Sequence, residues 1–151
     1  MNMRLSLRLL VVAATVGVIS VAMDRVVIAH GDSVPAHVLV TAPGPIARGD
    51  YVSLWMQHLV LGPRPVHLTK QVVCMSGDQL YFKDNVYRCN EQVLGSPLAQ
   101  TWDHRPLTRM TFQGRIPFGY VFVMGTHPRS FDSRYFGLVH ITHLQRLQAV
   151  F

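Results

Sequence analysis

After residue 30 the chain is a series of short apolar runs that glycine or proline interrupts every few residues. No segment of this part keeps a helical period over a long stretch, and short runs bounded by such turns are typical of β-strands. We therefore predict an all-β, compact, barrel-like domain over residues 30–151. The predicted strands are 38–41, 51–56, 67–75, 79–82, 86–91 and 119–125, with a last strand and then a helical turn within 138–147.

The N-terminal segment is of a different kind. Residues 5–23 are apolar apart from Arg8 and three hydroxyl side chains, with Arg4 before them and two charged residues after them. The charge-free part, residues 9–23, is short for a membrane span, but it reaches that length if Arg8 snorkels and residues 26–28 contribute. A cleavable signal peptide has the same order of charges, but no small-x-small site follows. We therefore favour an uncleaved anchor over residues 1–29, with the N-terminus in the cytoplasm.

Charge and composition limit the possible partners. The formal net charge is +6, yet the basic residues are scattered singly and lack the aromatic interleaving that binds nucleic acid. We expect no nucleic-acid partner, and an anionic membrane surface is the simpler explanation of the charge. His140 and His143 lack a third ligand or a glutamate, and no phosphate-binding loop is present. We expect neither a metal nor a cofactor.

Cys74 and Cys89 leave two arrangements open. In an oxidising compartment they can form one disulfide across neighbouring strands, which the exported position of the domain slightly favours. The alternative is two buried free thiols. A zinc site is excluded, because two cysteines at this spacing lack the paired ligands that zinc needs.

Two features could carry chemistry. In a strand, Lys70 shares a face with Leu68 and Val72, so its amine would lie over apolar side chains and could act neutral, as a general base. The alternative is a lysine that protects an exposed sheet edge. The second feature is the segment 130–137, predicted as a polar turn between two strands, the second starting near Tyr135. An ion pair of Asp132 with Arg134 would pin this turn.

These two features, taken in order, resemble the signal peptidase I family. The stretch Gln71–Val72–Val73–Cys74–Met75–Ser76–Gly77–Asp78 after Lys70 looks like the box that follows the general-base lysine of that family. Gly49–Asp50–Tyr51–Val52 looks like its G-D-x-V strand opening, and residues 130–137 match its last box, S-x-D-S-R-Y-[WF]-G. The ending 125–137 is similar to that of the TraF-type conjugative-transfer peptidases, Gly-x-x-Pro-x-Ser-Phe-Asp-Ser-Arg-Tyr-Phe-Gly.

The resemblance implies a hydroxyl–lysine dyad. Lys70 would be the general base, Ser130 the hydroxyl that orients it, and Asp132 with Arg134 the pair that shapes the site. The family's nucleophilic serine has no serine counterpart here, and counting from the motifs places its position at Thr41. A threonine hydroxyl can attack a carbonyl, although its methyl group crowds a site shaped for serine.

Other assignments of the nucleophile stay open. A different structural proline moves its position to Pro43, which has no hydroxyl, and Ser33 is the nearest upstream serine. Leu39 stands where the family can carry a second oxyanion donor. If no residue serves as the nucleophile, the dyad is degenerate and the protein binds its target without cutting it.

The implied activity is acyl transfer on the major pilin during conjugative pilus biogenesis, by proteolysis and in some systems by cyclisation. It implies a bacterial inner-membrane protein with a periplasmic domain, the pilin precursor as substrate, and type IV secretion components as further partners. We expect the substrate to bind as an extended strand beside 38–41 and the Lys70 strand. The alternatives are a catalytically degenerate assembly factor that binds pilin and a general signal peptidase. The short chain disfavours the general signal peptidase.

Overall fold

The computed structural model of the chain describes residues 26–28 and 38–150. Within these ranges it has eleven strands, one α-helical turn and two 3-10 turns. The strands are β1 Val26–Ile28, β2 Val38–Thr41, β3 Tyr51–Met56, β4 Val66–Cys74, β5 Gln79–Lys83, β6 Val86–Cys89, β7 Gln92–Gly95, β8 Gly114–Arg115, β9 Tyr120–Met124, β10 Val139–His140 and β11 Gln145–Ala149. The α-helical turn α1 is Ser133–Phe136, and the 3-10 turns are Leu59–Leu61 and Ile141–His143.

The strands form two antiparallel sheets. One has seven strands in the order β1-β2-β11-β3-β4-β9-β10, and the other has four in the order β7-β6-β5-β8. The predicted all-β class is confirmed. The predicted barrel is not, because among the described residues each sheet ends in two edge strands and does not close on itself.

In the four-stranded sheet a tight hairpin joins the two strands that the sequence predicts at 79–82 and 86–91. Asp84 and Asn85 connect β5 to β6 and have φ of 54° and 61°. Both values lie in the left-handed region, which asparagine and aspartate tolerate better than most residues and which two-residue hairpin loops require.

A β-bulge in β4 connects the two halves of the core. Val72 lies opposite Val123 of β9, whereas Cys74 lies opposite Phe122, so Val73 is the extra residue. The bulge turns Cys74 to the other face of the strand. Val72 therefore packs in one apolar cluster with Val123, and Cys74 packs in a second with Phe122.

Cys74 and Cys89 form a disulfide with a Cα–Cα distance of 5.9 Å. The disulfide that the sequence slightly favours is therefore present, and the alternative of two free thiols is wrong. It does not join neighbouring strands of one sheet, however, because β4 belongs to the larger sheet and β6 to the smaller. The bond ties the two sheets together at the bulge.

The predicted membrane anchor lies mostly outside the described residues. Of the range 1–29, the structure describes Val26–Ile28, which form a strand paired with β2 and do not extend a helix. No helix in residues 26–28 and 38–150 is long and apolar enough to cross a membrane. The anchor at residues 1–25 stays a prediction.

Candidate active site

The loop after β9 fixes the position of Ser130. The Ser130 N–H donates to the His127 carbonyl oxygen at 2.9 Å, which closes a turn with Pro128 in its second position, where proline is favoured. The Arg129 N–H donates to His127 Nδ1 at 3.1 Å. The turn is therefore held both by its backbone and by the His127 ring.

Asp132 and Arg134 hold the residues that follow. Arg134 Nε and Nη2 each donate to one carboxylate oxygen of Asp132 at 2.8 Å, and both side chains are buried. The predicted ion pair is thus present. Burial opposes the charge of Arg134, but the hydrogen bonds and charge of Asp132 outweigh it and raise the pKa of the guanidinium above its ordinary value.

The same aspartate begins α1. Asp132 Oδ1 accepts a hydrogen bond from the Arg134 N–H at 3.2 Å, as the N-cap of a helix does, and Oδ2 accepts one from the Gly125 N–H, also at 3.2 Å. The strand predicted near Tyr135 is therefore wrong. Tyr135 lies in a helical turn because Asp132 satisfies the first free N–H groups of that turn, with its carboxylate at Arg134 and its carbonyl oxygen at Tyr135 and Phe136.

Lys70 lies in β4 and is only 2% exposed. Alternation along the strand places it on the face of Leu68 and Val72, as the sequence predicts. Because it is buried, it does not protect an exposed sheet edge. Burial lowers the pKa of the Lys70 amine to about 8, with the Asp132 carboxylate acting in the opposite direction and the Arg134 charge adding to the decrease.

Lys70 and Ser130 line one cavity of about 260 Å³. The other lining residues are Leu61, Leu68, His127, Arg129 and Phe131. The buried Ser130 Oγ has no hydrogen-bond partner in the described part of the chain. The fold therefore brings together a lysine with a lowered pKa and an unpaired hydroxyl, the two groups that hydroxyl–lysine acyl transfer requires.

Thr41 is not part of this cavity. The strand register places Thr41 opposite Leu147 of β11, and Leu147 opposite Tyr51 of β3. Tyr51 lies opposite Gln71, the residue after Lys70. Since paired residues share a face and successive residues alternate, Thr41 lies on the opposite face from Lys70. Three strand spacings, about 14 Å in total, also separate β2 from β4.

Two other residues considered for the site lie elsewhere. Leu39 is fully buried and packs against Leu147, and the Pro43 carbonyl oxygen accepts a hydrogen bond from Arg146 at 3.2 Å. Ser33 lies outside the described residues. The structure therefore assigns neither Leu39 nor Pro43 to the cavity.

The strand edges show where an extended peptide can bind. β11 pairs with one side of β2, and β1 pairs with Val38 to Val40 on the other, so no free edge runs along these three residues, which contradicts that part of the predicted binding mode. On β4 the ladder with β9 starts at Gln71. In the described part of the chain, Val66 to Lys70 therefore have no strand partner on that side, and this edge borders the Lys70 cavity.

His127 and Arg129 are lining residues that the sequence does not reveal as part of the site. Their nearness to Ser130 in the chain is the signal that could have indicated them. One group of described residues has metal-ligand atoms within 4.8 Å of one another, namely Cys74, Asp78 and Cys89. Both sulfurs of that group belong to the disulfide, so it offers one carboxylate and no thiolate.

Comparison with known proteins gives a family match over almost the whole chain. The model of the family described as signal peptidase, peptidase S26, matches residues 4–148. A crystal structure of a signal peptidase I from Enterococcus faecalis V583 is 21% identical, with a TM-score of 0.44, and the alignment covers 72% of this chain and 100% of the other. No curated protein matches the chain significantly.

Proposed function

The chain belongs to the peptidase S26 family of signal peptidases, and we propose that it is a membrane-anchored endopeptidase that processes the pilin precursor in conjugative transfer. The observation that carries the enzymatic part is the buried Lys70, whose pKa is lowered to about 8 beside the unpaired Ser130 hydroxyl. The similarity of residues 125–137 to the TraF-type ending supports the pilin as substrate. In this proposal the predicted N-terminal anchor holds the domain on the periplasmic side of the inner membrane, next to the secretion apparatus.

The nucleophile in this proposal is Ser130. It is the hydroxyl that the described residues place in the Lys70 cavity, whereas Thr41 lies on the other face of the sheet. Ser130 Oγ attacks the scissile carbonyl carbon as Lys70 Nζ takes the hydroxyl proton. The same amine then donates that proton to the leaving amine, and an ester to Ser130 remains.

The release step decides the product. Water that attacks the ester gives a shortened pilin, and the N-terminal amine of the pilin gives a cyclic one. The free edge of β4 at Val66 to Lys70 supports binding of the substrate as an added strand whose scissile bond lies at the cavity. A general signal peptidase is less favoured, since the stretch between Lys70 and Ser130 has no large insertion.

A second candidate function follows from the position of Thr41. If Thr41 occupies the family's nucleophile position, a threonine about 14 Å from the lysine strand cannot transfer its proton to Lys70. The cavity would then bind an extended pilin segment without cutting it. Such a protein would act as an assembly factor of the conjugation apparatus.

The intact mass of the pilin distinguishes these functions. We expect mature or cyclic pilin from cells with the wild-type chain or Thr41→Ala, and precursor from cells with Lys70→Ala or Ser130→Ala. Mature pilin in the Ser130→Ala strain, together with precursor in the Thr41→Ala strain, would identify Thr41 as the nucleophile. The same mass in all four strains, with pili lost in the variants, would establish the assembly factor.

The resemblance gives Ser130 another role, that of orienting Lys70 while a hydroxyl on a different residue attacks. Covalent labelling, with Ser33→Ala as a comparison, separates this role from that of the nucleophile. A fluorophosphonate probe reacts with an activated serine and stays attached to it. We expect the adduct on the peptide that contains Ser130, absent in Lys70→Ala and retained in Ser33→Ala. An adduct on Ser33 or Thr41 would contradict the assignment of Ser130 as the nucleophile.

A further inference from the structure

A second cavity, of about 450 Å³, adjoins the Lys70 cavity. His127 lines both, so the two meet at the turn that carries Ser130. The apolar part of its lining is Val73, Val93, Leu94, Leu98, Met124 and Pro128. None of these residues has a role in the proposed proton transfer.

One wall of this cavity is the edge strand β7. In the four-stranded sheet β7 pairs with β6 alone, so its outer backbone groups have no strand partner among the described residues. Val93 in this strand is 56% exposed and Leu98 just after it is 38% exposed. Proteins normally protect an edge strand with charged side chains or proline, and exposed apolar side chains on such an edge favour pairing with another chain.

We propose that this second cavity and the free edge of β7 bind an apolar stretch of the polypeptide substrate, while the bond to be cleaved lies in the Lys70 cavity. The inference rests on the proposed peptidase function and adds a specificity site to it. The occupant is the substrate because the two cavities are neighbours that share His127 as a wall, so one extended chain can contact both.

The geometry of β4 gives the spacing in the substrate. Lys70 lines the first cavity and Val73 the second, three positions along the same strand. Since an extended chain rises about 3.3 Å per residue, the apolar stretch lies about three to five residues from the cleaved bond. The substrate then pairs with the backbone of β7 and places alternate side chains in the cavity.

Photo-crosslinking tests the site without requiring cleavage. The probes are two pilin-precursor peptides of equal length with a benzophenone side chain four residues from the cleavage site, one with valine and leucine around it and one with serine and asparagine. We expect the apolar probe to label residues 92–98 of the full-length chain, in wild type and in Lys70→Ala alike. We expect weak labelling there by the polar probe.

The outcomes separate this inference from the proposed function. Labelling confined to the Lys70 cavity, or equal labelling of β7 by both probes, overturns the second site and leaves the peptidase in place. Labelling of neither cavity overturns the pilin as substrate, and with it the inference.

Kinetics give a second readout. Val93→Glu replaces an apolar side chain of the lining with a charged one, and we expect the KM of the apolar peptide to rise about tenfold, the value of one lost valine contact, with kcat unchanged. A short peptide that ends before the apolar stretch should keep its KM. Phe118→Glu is the matched control, since Phe118 is 95% exposed and lines neither cavity. An unchanged KM for the apolar peptide in Val93→Glu overturns the proposal.

Discussion

Arg134 Nη2 donates a hydrogen bond to the Ser130 carbonyl oxygen at 3.1 Å. The same guanidinium pairs with both oxygens of Asp132, and its Nη1 donates to the Ser96 carbonyl oxygen at 3.0 Å. Because a guanidinium is planar and has fixed donor directions, it holds these acceptors in one geometry. The ion pair therefore positions the backbone of Ser130 beside Lys70.

Asp132→Asn should destabilise the fold strongly. It removes the negative charge and leaves the Arg134 guanidinium buried and uncompensated, which costs about 3–5 kcal/mol in the free energy of unfolding. Urea denaturation measures the change. Asp103→Asn is the matched control, because the ion pair of Asp103 with Arg105 is partly exposed and its loss should leave stability nearly unchanged. Equal denaturation midpoints for the two variants would contradict the structural role of Asp132.

The strands and the lysine side of the site follow from the sequence. The apolar runs and turns located β2, β3, β4, β5 and β9 to within a residue or two, because each run is bounded by glycine, proline or a hairpin turn. Alternation along β4 placed Lys70 with Leu68 and Val72, which burial of the amine in the structure supports.

Other features depend on contacts that spacing along the chain does not encode. The position of Thr41 depends on the insertion of β11, from the far end of the chain, between β2 and β3. The helical turn at Tyr135 depends on the capping of its N–H groups by Asp132. The disulfide between the two sheets depends on the bulge at Val73, which a strict alternation of side chains does not predict.

The pH dependence of cleavage should report Lys70. A general base must be neutral, and the pKa of the Lys70 amine is lowered to about 8 by burial. We expect kcat/KM for a pilin-precursor peptide to rise tenfold per pH unit below that value and to level off above it. Measurement between pH 6 and pH 9.5 tests this. A rate that is constant over this range would show that Lys70 is not the titrating base.

The disulfide should contribute substantially to stability. Cys74 and Cys89 are 15 residues apart, and closing a loop of that size stabilises a fold by about 3 kcal/mol. The double variant Cys74→Ser, Cys89→Ser should lose about that amount in guanidinium denaturation. A reducing agent should lower the midpoint of the wild-type chain and leave that of the double variant unchanged. Equal midpoints of the oxidised wild type and the double variant would contradict the prediction.

Lys70→Met should abolish cleavage and stabilise the fold at neutral pH. The Lys70 pKa falls from 10.5 to about 8 on folding, so below pH 8 the folded chain buries a charge that the unfolded chain keeps in water. Between pH 8 and pH 10.5 the Lys70 amine is protonated in the unfolded chain and neutral in the folded chain, so the stability of the wild type rises with pH over this range.

Methionine has a similar length and no charge, so the advantage of Lys70→Met should be largest below pH 8, about 3 kcal/mol, and should disappear above pH 10.5. Guanidinium denaturation of both proteins at pH 7 and at pH 10.5 measures the difference. Lys83→Met is the control, since Lys83 lies at the exposed end of β5 and its substitution should have a small effect at both pH values. A Lys70→Met protein less stable than wild type at pH 7 would mean that the ammonium is stabilised in the fold, and Lys70 could then not serve as a base near neutral pH.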